Sequence, residues 1–366
     1  MLLVMLGLGL FGVFAFRLSF GPMQIPVLAS WLATAGTGQG IVVKVAMAEL
    51  AWQGYRQGGG MPVSLQLGDI SVRNAVGLEL AHIPTAELVV PPADLFGAHV
   101  PLLIEGSGAQ FTGATAPVSW YANLVPGSGF SLARGDFYVT LGAGVLGKGD
   151  GSIAISGGGF TLHVTPGAVD VTDGRATLAP TGASAPHVGF TFTARRHGTW
   201  AGALTATVDT VQAQDLRAYW PALAAPEARK WVLENITAGT ATQAGFTFSL
   251  TAPGDLSRLA LADVTGQFTG QDLTLGWVKG ATPITHLNGV FTMRDQDTAV
   301  ITASAGQVGG VQLSNGAMTI IGMSKKDQVG NLSLNLAGSI PDVLAVLSAQ
   351  PLDLLRHAPP SLADAT

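Results

Sequence analysis

The sequence predicts a mainly β protein, built on a long antiparallel sheet with an N-terminal transmembrane helix and a few short helices. Three observations carry that expectation. Apolar and small polar residues alternate along much of the chain, as in Phe160-Thr161-Leu162-His163-Val164. Such alternation marks a strand with one apolar and one polar face. Charged residues are only 11% of the chain against 48% apolar, with 49 glycines, whereas an ordinary soluble domain carries about 25% charged residues. The stretch from Met1 to Phe16 contains no charged side chain at all.

Residues 1–20 are expected to form a membrane anchor. As a helix, the run to Phe16 measures about 24 Å at roughly 1.5 Å per residue. Leu18 and Phe20 extend it toward the roughly 20 residues that a bilayer core requires. No Ala-x-Ala-like site follows closely, which favours an uncleaved anchor over a removed signal peptide. Residues 21–36 read as a short amphipathic helix, opened by Pro22 and Pro26, with Val27, Leu28, Trp31 and Leu32 at helical spacing.

Residues 37–210 form a first block of strands. Phe160 and Leu162, then Phe190 and Phe192, then Leu204, Ala206 and Val208 alternate with Thr and His. Thr on the outer face raises strand propensity without adding charge. Gly157-Gly158-Gly159, Pro166-Gly167 and Asp173-Gly174 punctuate the run as turns. The apolar phase of Val63, Leu65 and Leu67 passes to Ile70 and Val72, which places a bulge at Gly68. Residues 211–240 interrupt the rhythm with a helix that begins at Pro226, runs through Ala228, Trp231, Val232 and Ile236, and ends before Gly239. A second block of strands covers 241–340. It carries Phe246, Phe248 and Leu250, then Leu273, Leu275 and Trp277, then Leu332, Leu334 and Leu336. Residues 341–366 read as short helices broken at Pro351 and a Pro- and Ala-rich tail.

Several functions are disfavoured. The net charge is −5 with no basic run, so nucleic acid is not an expected partner. There is no cysteine, hence no disulfide and no thiolate chemistry. Gly142-Ala143-Gly144-Val145-Leu146-Gly147 fits a dinucleotide-binding pattern. It lacks the following helix whose N-terminus would hold a pyrophosphate. The seven histidines have no metal-ligand spacing. Asp295 and Asp297 read as a polar turn. No enzyme activity, metal or cofactor is expected.

The apolar stripes admit two readings, because a lipid-lined groove and a closed sandwich produce the same alternation. The sparse charge, the length of the strand blocks and the neighbouring anchor favour the groove. Its candidate lipid-facing residues are Phe160, Leu162, Phe190, Phe192, Leu204, Phe246, Phe248, Leu250, Leu273, Leu275, Leu332, Leu334 and Leu336.

Four stretches resemble a known family. They are Arg17-Leu18-Ser19-Phe20-Gly21-Pro22, Tyr219-Trp220-Pro221-Ala222-Leu223-Ala224 with Arg229-Lys230-Trp231-Val232, Pro283-Ile284-Thr285-His286-Leu287-Asn288-Gly289, and Gly338-Ser339-Ile340-Pro341-Asp342-Val343-Leu344-Ala345. In order and spacing they resemble landmarks of AsmA-like proteins of the YhdP and TamB kind. The resemblance implies a single-pass anchor in the bacterial inner membrane and a periplasmic body. That body would be a long curved sheet folded into a U-shaped apolar groove. Phospholipid acyl chains would move along it between the inner and outer membranes. Trp220, Pro221 and Trp231 would be structural landmarks that seat a helix against the sheet end. An alternative is a membrane-tethered scaffold that assists assembly of outer-membrane proteins without conducting lipid. Members of the family continue well beyond the equivalent of Thr366, so the resemblance also implies a fragment or a split gene product. Its open sheet edge would meet a continuation or an outer-membrane partner.

Overall fold

A computed structural model of the chain describes residues 13–14, 16–18, 20–26, 41–52, 63–74, 77–90, 102–111, 114–126, 132–147, 149–180, 185–220, 222, 226–254, 258, 260–323, 325, 327–351 and 353. The described chain is mainly β, with strands in open antiparallel array and a few short helices. It divides into two compact units, one of residues 1–148 with 157–174 and one of residues 149–156 with 175–366. The division falls within the strand pair of residues 153–178, so the helical segment expected at 211–240 lies wholly inside the second unit.

The first unit holds β1 (Met23–Gln24), β2 (Ile41–Trp52), β3 (Val63–Asn74), β4 (Glu79–Val90), β5 (Leu102–Phe111), β6 (Val118–Pro126), β7 (Leu132–Leu141) and β8 (Gly144–Leu146). It also holds most of β9 (Ile153–Thr165) and β10 (Ala168–Leu178). From β1 to β7 each strand pairs antiparallel with the next, and β7 pairs with β9. This meander is what a one-sided apolar alternation produces.

The second unit continues with β11 (His187–His197), β12 (Thr199–Gln212), α1 (Leu216–Tyr219), α2 (Pro226–Asn235), β13 (Ile236–Ala252), β14 (Ala260–Leu275), β15 (Ile284–Met293), β16 (Thr298–Val308), β17 (Val311–Ile321), β18 (Val329–Ala337) and α3 (Ile340–Ser348). Strands β11 to β18 pair antiparallel in sequence order. Pro226 opens α2 as the sequence predicts, and the Asn235 side chain donates to the Trp231 carbonyl at 2.7 Å as the helix gives way to β13. Ser339 caps α3 by accepting from the Asp342 N–H.

In β14 to β17 the apolar face changes phase within each strand. Buried residues run Val264 then Leu273 and Leu275, and Ile284 then Leu287, Phe291 and Met293. They continue as Ala299, Ile301 and Ala303 then Val308, and Val311 and Leu313 then Ile320. An odd-to-even switch needs an extra residue. The pairing supplies it between Gly270 and Leu273, between Thr285 and Asn288, between the Ala303 and Ala305 partners, and between Ser314 and Ala317. Asp272, His286 and Asn315 take the left-handed conformation there, with φ of 52°, 50° and 47°. Asp and Asn tolerate that region better than most residues. The shifts fall in line from strand to strand, and each bends its strand.

Two expectations need revision, and a third lies mostly outside the described residues. The region expected as a short helix contains β1, in which Met23 and Gln24 pair with Leu50 and Glu49. Residues 27–36 lie outside the described residues. The phase change near Gly68 is present, but the left-handed residue is Asp69 (φ 50°). Gly68 itself stays in register opposite Met47 and Thr85. A methyl group at Gly68 would meet the flexible end of the Met47 side chain at 2.7 Å. The expected anchor at 1–20 falls largely outside the described residues. Among those described, no helix is long and apolar enough to cross a membrane.

Candidate functional site

The apolar face of β11–β13 is built by direct cross-strand register. Phe190 sits opposite Ala206, which sits opposite Phe246, and Phe192 sits opposite Leu204, which sits opposite Phe248. One residue to either side, Thr191, Thr205 and Thr247 form the corresponding row on the other face, where the Thr205 and Thr247 hydroxyls lie 3.2 Å apart. Leu250 continues the apolar side opposite Gly202. All six apolar candidates here, Phe190, Phe192, Leu204, Phe246, Phe248 and Leu250, are half-buried. Gly266 lies opposite Phe246, and a Cβ there would collide with the ring. The glycine thus makes room for the aromatic side chain.

The face of β14–β17 is closed. Leu273 (7% exposed), Leu275 (3%), Ile284 (3%) and Phe291 (6%) belong to one packed cluster. Phe268 and Phe291 stack with ring centroids 5.0 Å apart. Trp231 from α2 and Val346 from α3 pack against the same cluster, as do Leu334 and Leu336 of β18. A small, almost entirely apolar cleft enters it, lined by Ile236, Phe268, Leu273, Leu287, Phe291 and Ile301 among others, with room for little more than one water molecule. Leu332, nearer the start of β18, is 38% exposed. In the first unit Phe160 and Leu162 are half-buried opposite Val139 and Phe137 of β7. The sequence-predicted candidates therefore divide. The β11–β13 set, Phe160 and Leu162 lie on half-covered faces, with Phe246 and Phe248 packed against the edge of the cluster, while Leu273 and Leu275 are core.

Of the three structural landmarks, Trp231 is placed against the cluster by α2. Trp220 follows α1, and its carbonyl accepts from Arg229 Nε of α2 at 2.8 Å. A second Arg229 nitrogen donates to the Arg217 carbonyl at 3.1 Å. One guanidinium thereby ties α2 to the end of α1. Pro221 lies outside the described residues.

Sequence reasoning missed a polar group on the opposite face of the first unit. Asp136 of β7 sits opposite His163 of β9, with Oδ1 2.6 Å from Nδ1. Arg134 Nε reaches the other carboxylate oxygen at 2.8 Å, and Thr172 Oγ1 lies 3.4 Å from His163 Nε2. The hydrogen bond from His163, then Arg134, holds the Asp136 carboxyl below its ordinary value of 3.8 despite an opposing burial effect. Residues 27 apart carry no local signal, so only strand register brings these two together. The chain Thr–His–Asp has the order of a proton relay, but it lies flat on a sheet face and no described cavity adjoins it. Among the described residues no three His, Asp or Glu side chains group as a metal site.

Comparison with known proteins finds no matching family model, no matching curated protein and no matching solved structure.

Proposed function

We propose that the apolar sheet face binds phospholipid acyl chains, and that the protein helps move lipid between the inner and outer membranes of a bacterial envelope. The single observation that carries this reading is the incompletely buried ladder of Phe190, Phe192, Leu204, Phe246 and Phe248, of which Phe246 and Phe248 also pack against the neighbouring cluster. Side chains of this size on a regular strand face invite an apolar cover. An acyl chain laid on them gains about 0.8 kcal/mol per buried methylene. The contacts are non-directional, so a chain can slide along them without breaking specific bonds. The reading includes the finer points that the family resemblance suggests: a U-shaped groove, an inner-membrane anchor at residues 1–20 and a periplasmic body.

A photo-crosslinking amino acid at Phe248 is expected to capture phospholipid, and one at the adjacent Ser249 is not. Equal labelling at both positions sinks the proposal. Native mass spectrometry of the gently extracted protein should find bound phospholipid that is lost when Phe192, Phe246 and Phe248 are replaced together by Ser.

A second reading, a tethered scaffold for outer-membrane protein assembly, is favoured by one feature. Strand β18, Val-Gly-Asn-Leu-Ser-Leu-Asn-Leu-Ala, contains no charge and no proline, and Val329 is 61% exposed. Native sheet edges are usually blunted by such residues. This reading predicts protein crosslinks along β18 and no co-purifying lipid.

A further inference from the structure

The polar face of the first unit carries a transverse row that the lipid reading leaves unused. Read by register across the strands, it runs Glu49 on β2, Gln66 on β3, Glu87 on β4, Glu105 on β5, Tyr121 on β6 and Tyr138 on β7. Glu87 and Glu105 are direct cross-strand partners. Like charges placed opposite each other destabilise a sheet, and this chain is poor in charge everywhere else. Among the described residues neither carboxylate has an ion pair or hydrogen bond, whereas the basic residues Arg73 and Arg134 on the same strands are engaged by Glu79 and Asp136. Next in the row, Tyr121 and Tyr138 stand 41% and 52% exposed, with ring centroids 5.8 Å apart. Exposed aromatic rings attract cations over their faces, most strongly beside carboxylates.

The geometry points to this row as the docking surface for an extended Lys- or Arg-bearing segment of a partner protein. Charge complementarity selects the occupant. The row offers three carboxylates and two aromatic faces with no cation of its own, so it suits basic side chains and opposes an acidic or phosphorylated ligand. From β2 to β7 the row spans about 24 Å at about 4.8 Å per strand, the reach of about seven extended residues. A basic segment would relieve the Glu87–Glu105 repulsion and place cationic heads over the tyrosines. None of its residues belongs to the apolar ladder, so its failure leaves the lipid proposal standing.

The test uses the full chain in a non-ionic detergent with fluorescein-labelled decalysine, read by anisotropy. Binding should weaken steeply as salt rises from about 50 to about 300 mM, since Glu105, Tyr121 and Tyr138 are exposed and Glu49 and Glu87 partly so. Glu87→Gln with Glu105→Gln should lower affinity about fivefold or more, with the melting temperature unchanged or raised. Tyr121→Leu with Tyr138→Leu should lower it about two- to fivefold. Glu234→Gln with Asp327→Asn makes the same change in net charge elsewhere and should leave affinity unaltered. If the two paired substitutions of acids have equal effects, or if decalysine binds no better than decaglutamate, the inference is wrong. Tighter binding of uncharged chitotetraose than of decalysine would also overturn it, in favour of a glycan platform.

Discussion

Strands β11 and β12 and strands β14 to β17 share one sequence pattern and meet different fates. Both alternate large apolar residues with Thr and small residues. The β11–β12 ladder pairs without a break from Val188–Val208 to His197–Thr199, and neither strand contains a residue in the left-handed region. Its aromatic side chains are only partly buried. In β14, β15 and β17 the register shifts at Asp272, His286 and Asn315, and the apolar residues on both sides of the shifts are buried in one cluster. The difference shows that an extra residue in a strand, together with the covering Trp231 and Val346, goes with an apolar stripe that is fully core, whereas the unbroken ladder is only partly buried.

The largest test of this contrast is truncation of equivalent rings. Phe291→Ala should cost about 3–5 kcal/mol in chemical denaturation, as a buried ring does. Phe248→Ala should cost about 1–2 kcal/mol, because a ring only partly buried at the edge of the cluster excludes less water. Equal losses would mean that β11–β13 is core as well. Glycines probe the same contrast at a smaller scale. A Cβ at Gly289 on β15 would collide with the Thr302 carbonyl oxygen, whereas at Gly245 on β13 the nearest atom is 3.9 Å away. Gly289→Ala should therefore destabilise by about 1–3 kcal/mol, and Gly245→Ala should change stability by no more than about 0.5 kcal/mol. At the register shift itself, Asp272→Val forces a branched side chain into the left-handed region and should cost about 1–2 kcal/mol. A neutral result there would remove the bulge from the explanation.

The smallest effect supplies a control in the first unit. The folded Asp136 carboxyl titrates below its ordinary value, so its contribution to stability is present above the unfolded carboxylate pKa and disappears as pH falls through the folded one. Asp136→Asn should flatten that acid-side loss in a denaturation series. Phe291→Ala should lower stability without altering its pH dependence.

Much of the architecture was legible because strand alternation is local. The Phe-Thr-Phe and Leu-Ser-Leu runs predict antiparallel strands, and Pro226 with Trp231 and Val232 predicts α2. The region around Met23 was not legible as β1, since a two-residue strand has no periodicity and depends on its partner at Leu50 and Glu49. The aligned shifts at Gly270-Gln271-Asp272, His286-Leu287-Asn288 and Asn315-Gly316 had visible turn-type residues. Their meaning required knowing which strands pair. Within the candidate face, the apolar identity of Leu273 and Leu275 was readable, but their burial was not, because Trp231 and Ile284 arrive from elsewhere in the chain. The Asp136–His163 pair and the row from Glu49 to Tyr138 likewise exist only as register.

The order of residues alone determined that this chain makes antiparallel strands with one apolar and one low-charge polar side, because side-chain direction along a strand depends only on position. Which apolar sides are closed, which stay open, and which distant acids and tyrosines stand in a row were decided by tertiary pairing. Register and covering helices set distances between residues far apart in sequence, and no local preference encodes those distances.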